Sequence, residues 1–367
     1  MEKNLDIEAL PKKSNQSTNR ESGIELLRII TMIVIVAHHF VVNSGLTPDI
    51  MNEKTFSIDR MFLLLFGWGG KTGINCFVMI TGYFMCRSNI TIKKFLKLVL
   101  CIEFYHILFY LIFLITGKIE FSFIGMMKNL LPIGNVDDGF TSAYIIFFLF
   151  IPFLNILING MNNKQHQVLI VLLVLVYTIW DTIGFNVTFN YVTWFSIIYI
   201  IAAYIRIYPN RLFESKKLCG GIAILFLIAS WGSVVFGTIV ANYLSKNFAY
   251  YLVSDSNKPL ALATAVFAFM FFKNLKIGYI KMINTIAASC FGVLLIHANS
   301  FVRPWLWKDL LKVVEHYKEG NIIPFAILSV LTIYIVCTLI ETLRIKFIEK
   351  PFFRWFDNHY KKGCCTK

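Results

Sequence analysis

Residues 23–40 read GIELLRIITMIVIVAHHF, a stretch that is apolar except for a few ionisable side chains near its two ends. As a helix it is long enough to cross the hydrocarbon core of a bilayer, which takes about 20 residues. The whole chain is 57% hydrophobic and only 15% charged, whereas soluble proteins carry about 25% charged residues. These features predict an integral membrane protein.

Apolar stretches of similar length recur along the chain and predict about ten membrane-spanning helices. Their approximate bounds are 24–42, 61–85, 95–116, 141–160, 167–185, 192–208, 219–242, 259–273, 282–301 and 323–344. The eighth stretch is short for a bilayer, which favours a tilted or partly re-entrant segment. No loop between them is long enough for a soluble domain, so the predicted fold is one all-α, polytopic membrane bundle.

The two ends of the chain are polar. Residues 1–22 are mixed in charge and poor in apolar side chains, which predicts a disordered cytoplasmic tail. We expect the membrane domain over 23–348 and a cytoplasmic C-terminal tail over 349–367. None of the eight cysteines forms a CxxC pair and most fall in apolar stretches, so neither a disulfide framework nor a metal site is predicted.

The net charge of +14 is distributed along the sequence in a way that indicates membrane topology rather than nucleic-acid binding. With the N-terminus inside, the inner segments hold about 23 of the 35 Lys and Arg residues, and the outer loops hold about 11. Such a bias over short loops predicts that both termini are cytoplasmic. We expect a multi-pass protein of a bacterial plasma membrane, in contact with lipid and without a nucleic-acid partner.

The first span carries four ionisable residues, which are costly in hydrocarbon unless they face the bundle interior or water. Arg28 and His39 are eleven residues apart, so a helix brings them to within about 20° of one face and separates them by about 16 Å along its axis. Glu25 lies one turn before Arg28 and can pair with it. His38 points about 100° away from His39. The alternative is that these side chains merely extend to the two membrane interfaces.

Further motifs follow the first span in order, and together they resemble the acyltransferase-3 family of membrane acyltransferases. The family's first helix has an Arg and a His separated by ten residues, as Arg28 and His39 are. The other matching segments are 77–84 (FVMITGYF), 142–155 (SAYIIFFLFIPFLN), 291–297 (FGVLLIH) and 348–353 (IEKPFF). The resemblance implies O-acylation of carbohydrate hydroxyls. It also implies acyl-CoA, usually acetyl-CoA, as a cytoplasmic donor substrate, with no bound cofactor.

On this interpretation His39 is the general base, Arg28 positions the donor with Glu25 as its partner, and His297 lies at the depth of His39 on the ninth span. We expect acceptor-binding residues at that end of the bundle. The candidates are His38, Asn75, Ser142, Tyr144, Asn299 and Arg303. For these polar residues, structural hydrogen bonding between helices is the alternative role.

The donor-binding candidates follow the second span and include Arg87. Many family members carry an Arg-x-x-Arg pair there, whereas this chain has Lys93, Lys94 and Lys97. Lysine binds phosphate as a point charge but lacks the two-pronged geometry of arginine. Ordinary positive-inside topology would also explain these lysines.

Two other functions fit parts of the sequence. A transporter or flippase of lipid-linked sugars, or of another anionic solute, would also need charges within the membrane. Such proteins usually contain repeated halves, and no internal repeat is evident. A polysaccharide polymerase would usually have a large outer loop, and none of these loops is large.

The loop charges give a testable topology. Reporter fusions at the N- and C-termini should both report a cytoplasmic location, because an even number of spans returns the chain to its starting side. A fusion at residue 118, in a predicted outer loop, is the control and should report the opposite side. An external C-terminus would contradict the predicted span count.

Overall fold

The computed structural model describes residues 22–52, 57–130, 139–185, 187–244 and 248–364. The predicted N-terminal tail, apart from its last residue, lies outside this part of the chain. The described residues form helices joined by short turns, and they contain no strand. The protein is an all-α membrane bundle, as the apolar stretches predicted.

Twelve principal helices can be followed in the described residues. They are α1 (Ser22–Val42), α2 (Ile58–Phe66), α3 (Gly70–Met85), α4 (Ile92–Ile115), α5 (Phe140–Asn159), α6 (Asn163–Val174), α7 (Tyr191–Ile207), α8 (Lys216–Leu244), α9 (Pro259–Lys273), α10 (Lys281–His297), α11 (Ile322–Arg344) and α12 (Lys350–Cys364).

Shorter elements connect or extend these helices. Five short α-helices are Thr47–Asn52, Phe123–Leu130, Arg211–Glu214, Val302–Pro304 and Val313–Lys318, and three π-helical turns are Leu175–Trp180, Trp305–Leu310 and Ile345–Glu349.

By length and composition, fewer than ten segments of the described residues qualify as full membrane spans. Within the described residues, six helical segments are long and apolar enough to cross a membrane. A seventh is reached if α10 and the segment Val302–Lys318, which meet at a bend of 87°, count as one broken span. Helices α7 and α9 are apolar but shorter. Each of the ten predicted stretches is largely helical, but the structure does not confirm ten crossings.

Helix α1 lies inside the bundle. It packs against α3, α10, α11 and α9, and most of its residues are buried, including Glu25. The outer helices α5 and α8 instead expose large apolar side chains, such as Phe153 and Ile156 on α5 and Ile228 and Phe236 on α8. Lipid solvates these outer surfaces, whereas the polar side chains of α1 are enclosed by protein.

Two glycines allow α3 to approach α1 closely. A Cβ atom added at Gly73 would lie 2.7 Å from Cγ1 of Ile35, and one added at Gly70 would overlap the imidazole ring of His38. Small residues at helix contacts let backbones come together, which is a common basis of helix association in membranes. This contact fixes the direction of His38, and with it the rotation of α1 that places His39.

A buried ionic network joins the end of α11 to α4. Arg344 donates from Nε and Nη2 to the Glu341 carboxylate at 2.7 and 2.8 Å, and from Nη2 to Glu349 at 2.7 Å. The Tyr105 hydroxyl donates to Glu341 at 2.7 Å, and Lys97 pairs with Glu349 at 2.7 Å. Two carboxylates therefore face two cations, and this pairing offsets much of the cost of burying them.

The segment predicted as a C-terminal tail contains helix α12, which is attached to the bundle. Lys93 on α4 forms a 2.6 Å ion pair with Asp357 on α12, and its ammonium lies over the ring of Phe353. Phe353 is buried, whereas Trp355 on the same helix is 55% exposed. The helix therefore has a face that packs on the bundle and another that is free to meet the membrane surface.

The close contact at Gly70 can be tested by adding one methyl group. Gly70→Ala should lower the unfolding free energy by about 1–3 kcal/mol, the usual cost of overpacking, measured as a lower midpoint of thermal unfolding in detergent. Gly232→Ala on α8 is the matched control, because a Cβ there has no neighbour within 4 Å. An equal midpoint for both variants would show that α1 and α3 can separate without cost.

Candidate active site

Two histidines from separate helices meet at one end of α1, which we call the histidine end of the bundle. Nδ1 of His39 lies 2.9 Å from Nε2 of His297, the last residue of α10. Nδ1 of His297 lies 2.6 Å from the carbonyl oxygen of Val293, and His297 is fully buried. These groups form a hydrogen-bonded chain from the backbone of α10 to the side chain of α1.

The order of these groups determines where the protons lie when both rings are neutral. A carbonyl oxygen can only accept, so His297 carries its proton on Nδ1 and donates it to Val293. Nε2 of His297 is then an acceptor, and His39 donates to it from Nδ1. The other nitrogen of His39, Nε2, carries no proton. The pair thus orients His39 with its basic nitrogen available to a substrate.

His38 points away from this pair. Its Nδ1 lies 2.6 Å from the carbonyl oxygen of Gly67, in the turn between α2 and α3. Its ring centroid is 5.8 Å from that of His39, and the ring packs on Gly70. This is the direction that helical phase predicted. In this structure His38 joins α1 to α3.

Arg28 marks the opposite end of the polar face of α1, which we call the arginine end. Its Nη1 lies 3.0 Å from Oε2 of the buried Glu25, the pairing predicted from their spacing. The hydroxyl of Tyr144 on α5 lies 2.7 Å from Oγ1 of Thr81 on α3. Thr81 is eleven residues beyond Gly70, about 16 Å along α3, so the Tyr144 hydroxyl lies further from the histidine end than the sequence predicted. Ser142 is also buried in the first turn of α5.

A family model described as an acyltransferase domain matches residues 21–341, which covers most of the chain. The chain belongs to the acyltransferase-3 family. The matched region begins at α1 and ends near the end of α11, so it includes Arg28, His39 and His297. The protein is therefore a membrane acyltransferase. No curated protein and no solved structure matches it at a significant level.

Two of the predicted acceptor-binding residues of this acyltransferase make structural hydrogen bonds. The Asn75 amide donates to the carbonyl oxygen of Ser256 at 2.7 Å and accepts from the indole nitrogen of Trp194 at 2.9 Å. The Asn299 side chain accepts from the backbone N–H of Phe301 at 3.0 Å, at the bend that follows α10. Asn75 thus connects α3 to α7 and to the loop before α9, whereas Asn299 stabilises the bend.

Two cationic residues of the described chain lie at the histidine end: Arg303 follows the bend after α10, and Lys71 follows Gly70, which packs on His38. Arg303 is exposed and was predicted from the sequence. Lys71 was not among the predicted site residues. Its ammonium donates to the Tyr191 hydroxyl at 2.6 Å and pairs with Asp255 at 3.2 Å. The sequence did contain a signal for Lys71, because it is a charged residue inside the span predicted over 61–85. A charge there is costly without a function or a partner.

The predicted donor-binding lysines differ in their partners. Lys93 and Lys97 are paired with carboxylates, whereas Lys94 donates to Ser88 Oγ at 2.5 Å and to the carbonyl oxygen of Asn89 at 3.0 Å. Arg87 is exposed in the same turn between α3 and α4. Lys94 therefore lies near neutral groups that a phosphate could replace.

A cleft of about 690 Å³ lies beside this turn. Its walls include Asn89 from the turn and Asn155, Ile156 and Asn159 from the last turns of α5, and Ile156 belongs to the outer, apolar surface of α5. The cleft is open on one side and lies next to the cationic turn. Among the described residues, no group of three His, Cys, Asp or Glu side chains is arranged to hold a metal ion.

Proposed function

We propose that this acyltransferase moves an acetyl group from cytoplasmic acetyl-CoA to a hydroxyl of a cell-surface polysaccharide in a bacterial plasma membrane. The observation that carries the proposal is the chain from Val293 through His297 to His39, which leaves Nε2 of His39 unprotonated. A base held in this way is what attack by a sugar hydroxyl requires. The acyltransferase domain favours this function over a transporter.

His39 performs both proton transfers in the proposed reaction. Nε2 removes the proton from the acceptor hydroxyl as its oxygen attacks the thioester carbonyl. The resulting tetrahedral intermediate carries a negative charge on the former carbonyl oxygen, beside a positively charged imidazole. When the intermediate collapses, the C–S bond breaks, and His39 returns the proton to the sulfur of coenzyme A. His297 accepts a hydrogen bond from the charged ring throughout, which stabilises it and preserves its orientation.

The donor is proposed to enter from the arginine end. Lys94 and Arg87 stand beside a cleft on the side of the bundle where the positive-inside rule places the cytoplasm. Arg28 lies about 16 Å along the helix from His39. This length is comparable to a pantetheine arm, so phosphates held near the cytoplasmic surface would allow the thioester to approach the histidine pair. The acceptor then reaches His39 from the opposite side.

The two adjacent histidines provide the main test. His39→Ala should reduce glycan acetylation by at least about 100-fold, the usual effect of losing a general base. Acetyl-CoA binding and the amount of protein in the membrane should be nearly unchanged. His38→Ala is the matched control. It should reduce acetylation less than His39→Ala does. It should lower the midpoint of thermal unfolding more than His39→Ala does, because His38 bonds to Gly67 and packs on α3.

Mass spectrometry of the surface glycan provides the readout, with each variant expressed in cells that lack the native gene. Robust acetylation by the His39→Ala protein would refute the mechanism. Equal loss of acetylation and stability in both variants would indicate a packing defect in place of a lost base.

The donor lysines can be separated by their partners. Lys94→Ala should raise the KM for acetyl-CoA about fivefold, which corresponds to the roughly 1 kcal/mol that an exposed charge contributes. Lys93→Ala is the control and should raise it less, because Lys93 is already paired with Asp357. Steady-state kinetics at saturating acceptor would measure both. If a protein with Lys93, Lys94 and Lys97 all changed to Ala binds acetyl-CoA like the parent, the lysines serve topology alone.

A further inference from the structure

We propose that Lys71, Asp255 and Tyr191 form the subsite that binds the acceptor sugar next to the hydroxyl being acylated. The three side chains come from α3, from the loop before α9 and from α7, and they meet at the histidine end. The proposal rests on the proposed function, since it assigns a place to the carbohydrate acceptor of that reaction.

The chemistry of the cluster suits a polyhydroxylated ligand. A sugar hydroxyl both donates and accepts hydrogen bonds, and the cluster offers a cationic donor, a carboxylate acceptor and a phenol that can do either. An ammonium has three N–H groups, and the described residues take up two of those of Lys71, through Tyr191 and Asp255. Phe189 lies 5.6 Å from Tyr191 between ring centroids and extends the apolar surface beside these polar groups.

The cluster is partly open. The Lys71 side chain is 24% exposed and that of Asp255 is 35% exposed, so a ligand can reach both charges. A partly buried ion pair adds little net stability, because the lost hydration offsets the attraction between the charges. Stability alone therefore gives a weak reason for a lysine in the first turn of an apolar helix, whereas ligand binding gives a direct one.

The loop that carries Asp255 is held in place. The carbonyl oxygen of Ser256 accepts from Asn75, and Asn257 donates to Asp181 at 2.9 Å. Tyr250, earlier in the loop, donates from its hydroxyl to the carbonyl oxygen of Leu64 at 2.8 Å. Because these contacts fix the loop before substrate arrives, binding need not include the entropy cost of ordering it.

The position of the cluster relative to the base follows from the contact between α1 and α3. Gly70 lies against the ring of His38, so the next residue, Lys71, is placed beside the end of α1. A sugar ring with one hydroxyl at Nε2 of His39 can therefore place neighbouring hydroxyls toward Lys71 and Asp255.

The test uses full-length protein in liposomes, radiolabelled acetyl-CoA and surface polysaccharide purified from cells that lack the gene. Lys71→Met should raise the polysaccharide concentration at half-maximal rate by about tenfold or more, while the KM for acetyl-CoA stays within about twofold. Asp255→Asn should shift the same parameter in the same direction. Its side chain keeps the size of the original, so it decides the question if Lys71→Met does not fold.

Lys258→Met is the matched control. Lys258 belongs to the same polar loop, forms a 2.7 Å ion pair with Asp181 and lies over the ring of Tyr251, much as Lys71 lies over Tyr191. This variant should leave acceptor saturation within about twofold of the parent. The proposal is overturned if Lys71→Met and Asp255→Asn leave acceptor saturation unchanged or shift it no more than Lys258→Met does. Failure of the parent protein to acetylate the polysaccharide would instead refute the proposed function.

Discussion

The structure depends on the cost of placing ionisable side chains in an apolar helix. Helix α1 carries Glu25, Arg28, His38 and His39, and lipid can solvate none of them well. The bundle therefore closes around α1, with α3, α10 and α11 packed on it and the apolar faces of α5 and α8 turned outward. Enclosing α1 stabilises the fold and also creates the protein-lined environment in which acyl transfer is proposed to occur.

The backbone of α10 determines which histidine donates and which accepts in the hydrogen bond between His39 and His297. Since the Val293 carbonyl can only accept, it fixes the proton of His297, and His297 then fixes that of His39. The carbonyl belongs to α10 itself, four residues before His297, so a rigid helix determines which nitrogen is basic. Rigid support of this kind keeps a catalytic group in its reactive orientation without reorganisation during the reaction.

Local spacing predicted the features that one helix determines. The phase of α1 gave the pairing of Glu25 with Arg28 and the divergence of His38 from His39. Matching positions along two spans suggested that His297 lies level with His39, and the structure places them in contact. The helical class was equally clear from composition, whereas the crossing count was not, because apolar content does not distinguish a full span from a short or bent helix.

Contacts between segments that are far apart in the chain could not be predicted from the sequence. Nothing local indicates that Lys71 meets Asp255, or that Lys93 and Lys97 meet carboxylates near the C-terminus. Tyr144 was misplaced in depth for a related reason. Its distance from the start of α5 does not show which neighbouring side chain its hydroxyl reaches, and in the structure that side chain is Thr81.

The cost of burying polar side chains is offset in different ways at the two ends of α1. Each way suits the proposed role of that end. At the arginine end two opposite charges pair, and Glu25 offsets Arg28 before any substrate binds. At the histidine end, two neutral rings share a hydrogen bond, so burial costs less in the resting state. In the proposed reaction the charge on His39 forms only when the hydroxyl proton arrives, together with the negative charge of the tetrahedral intermediate. Each charge then has an opposite partner nearby, and the enclosed site strengthens their attraction at the step where it lowers the barrier.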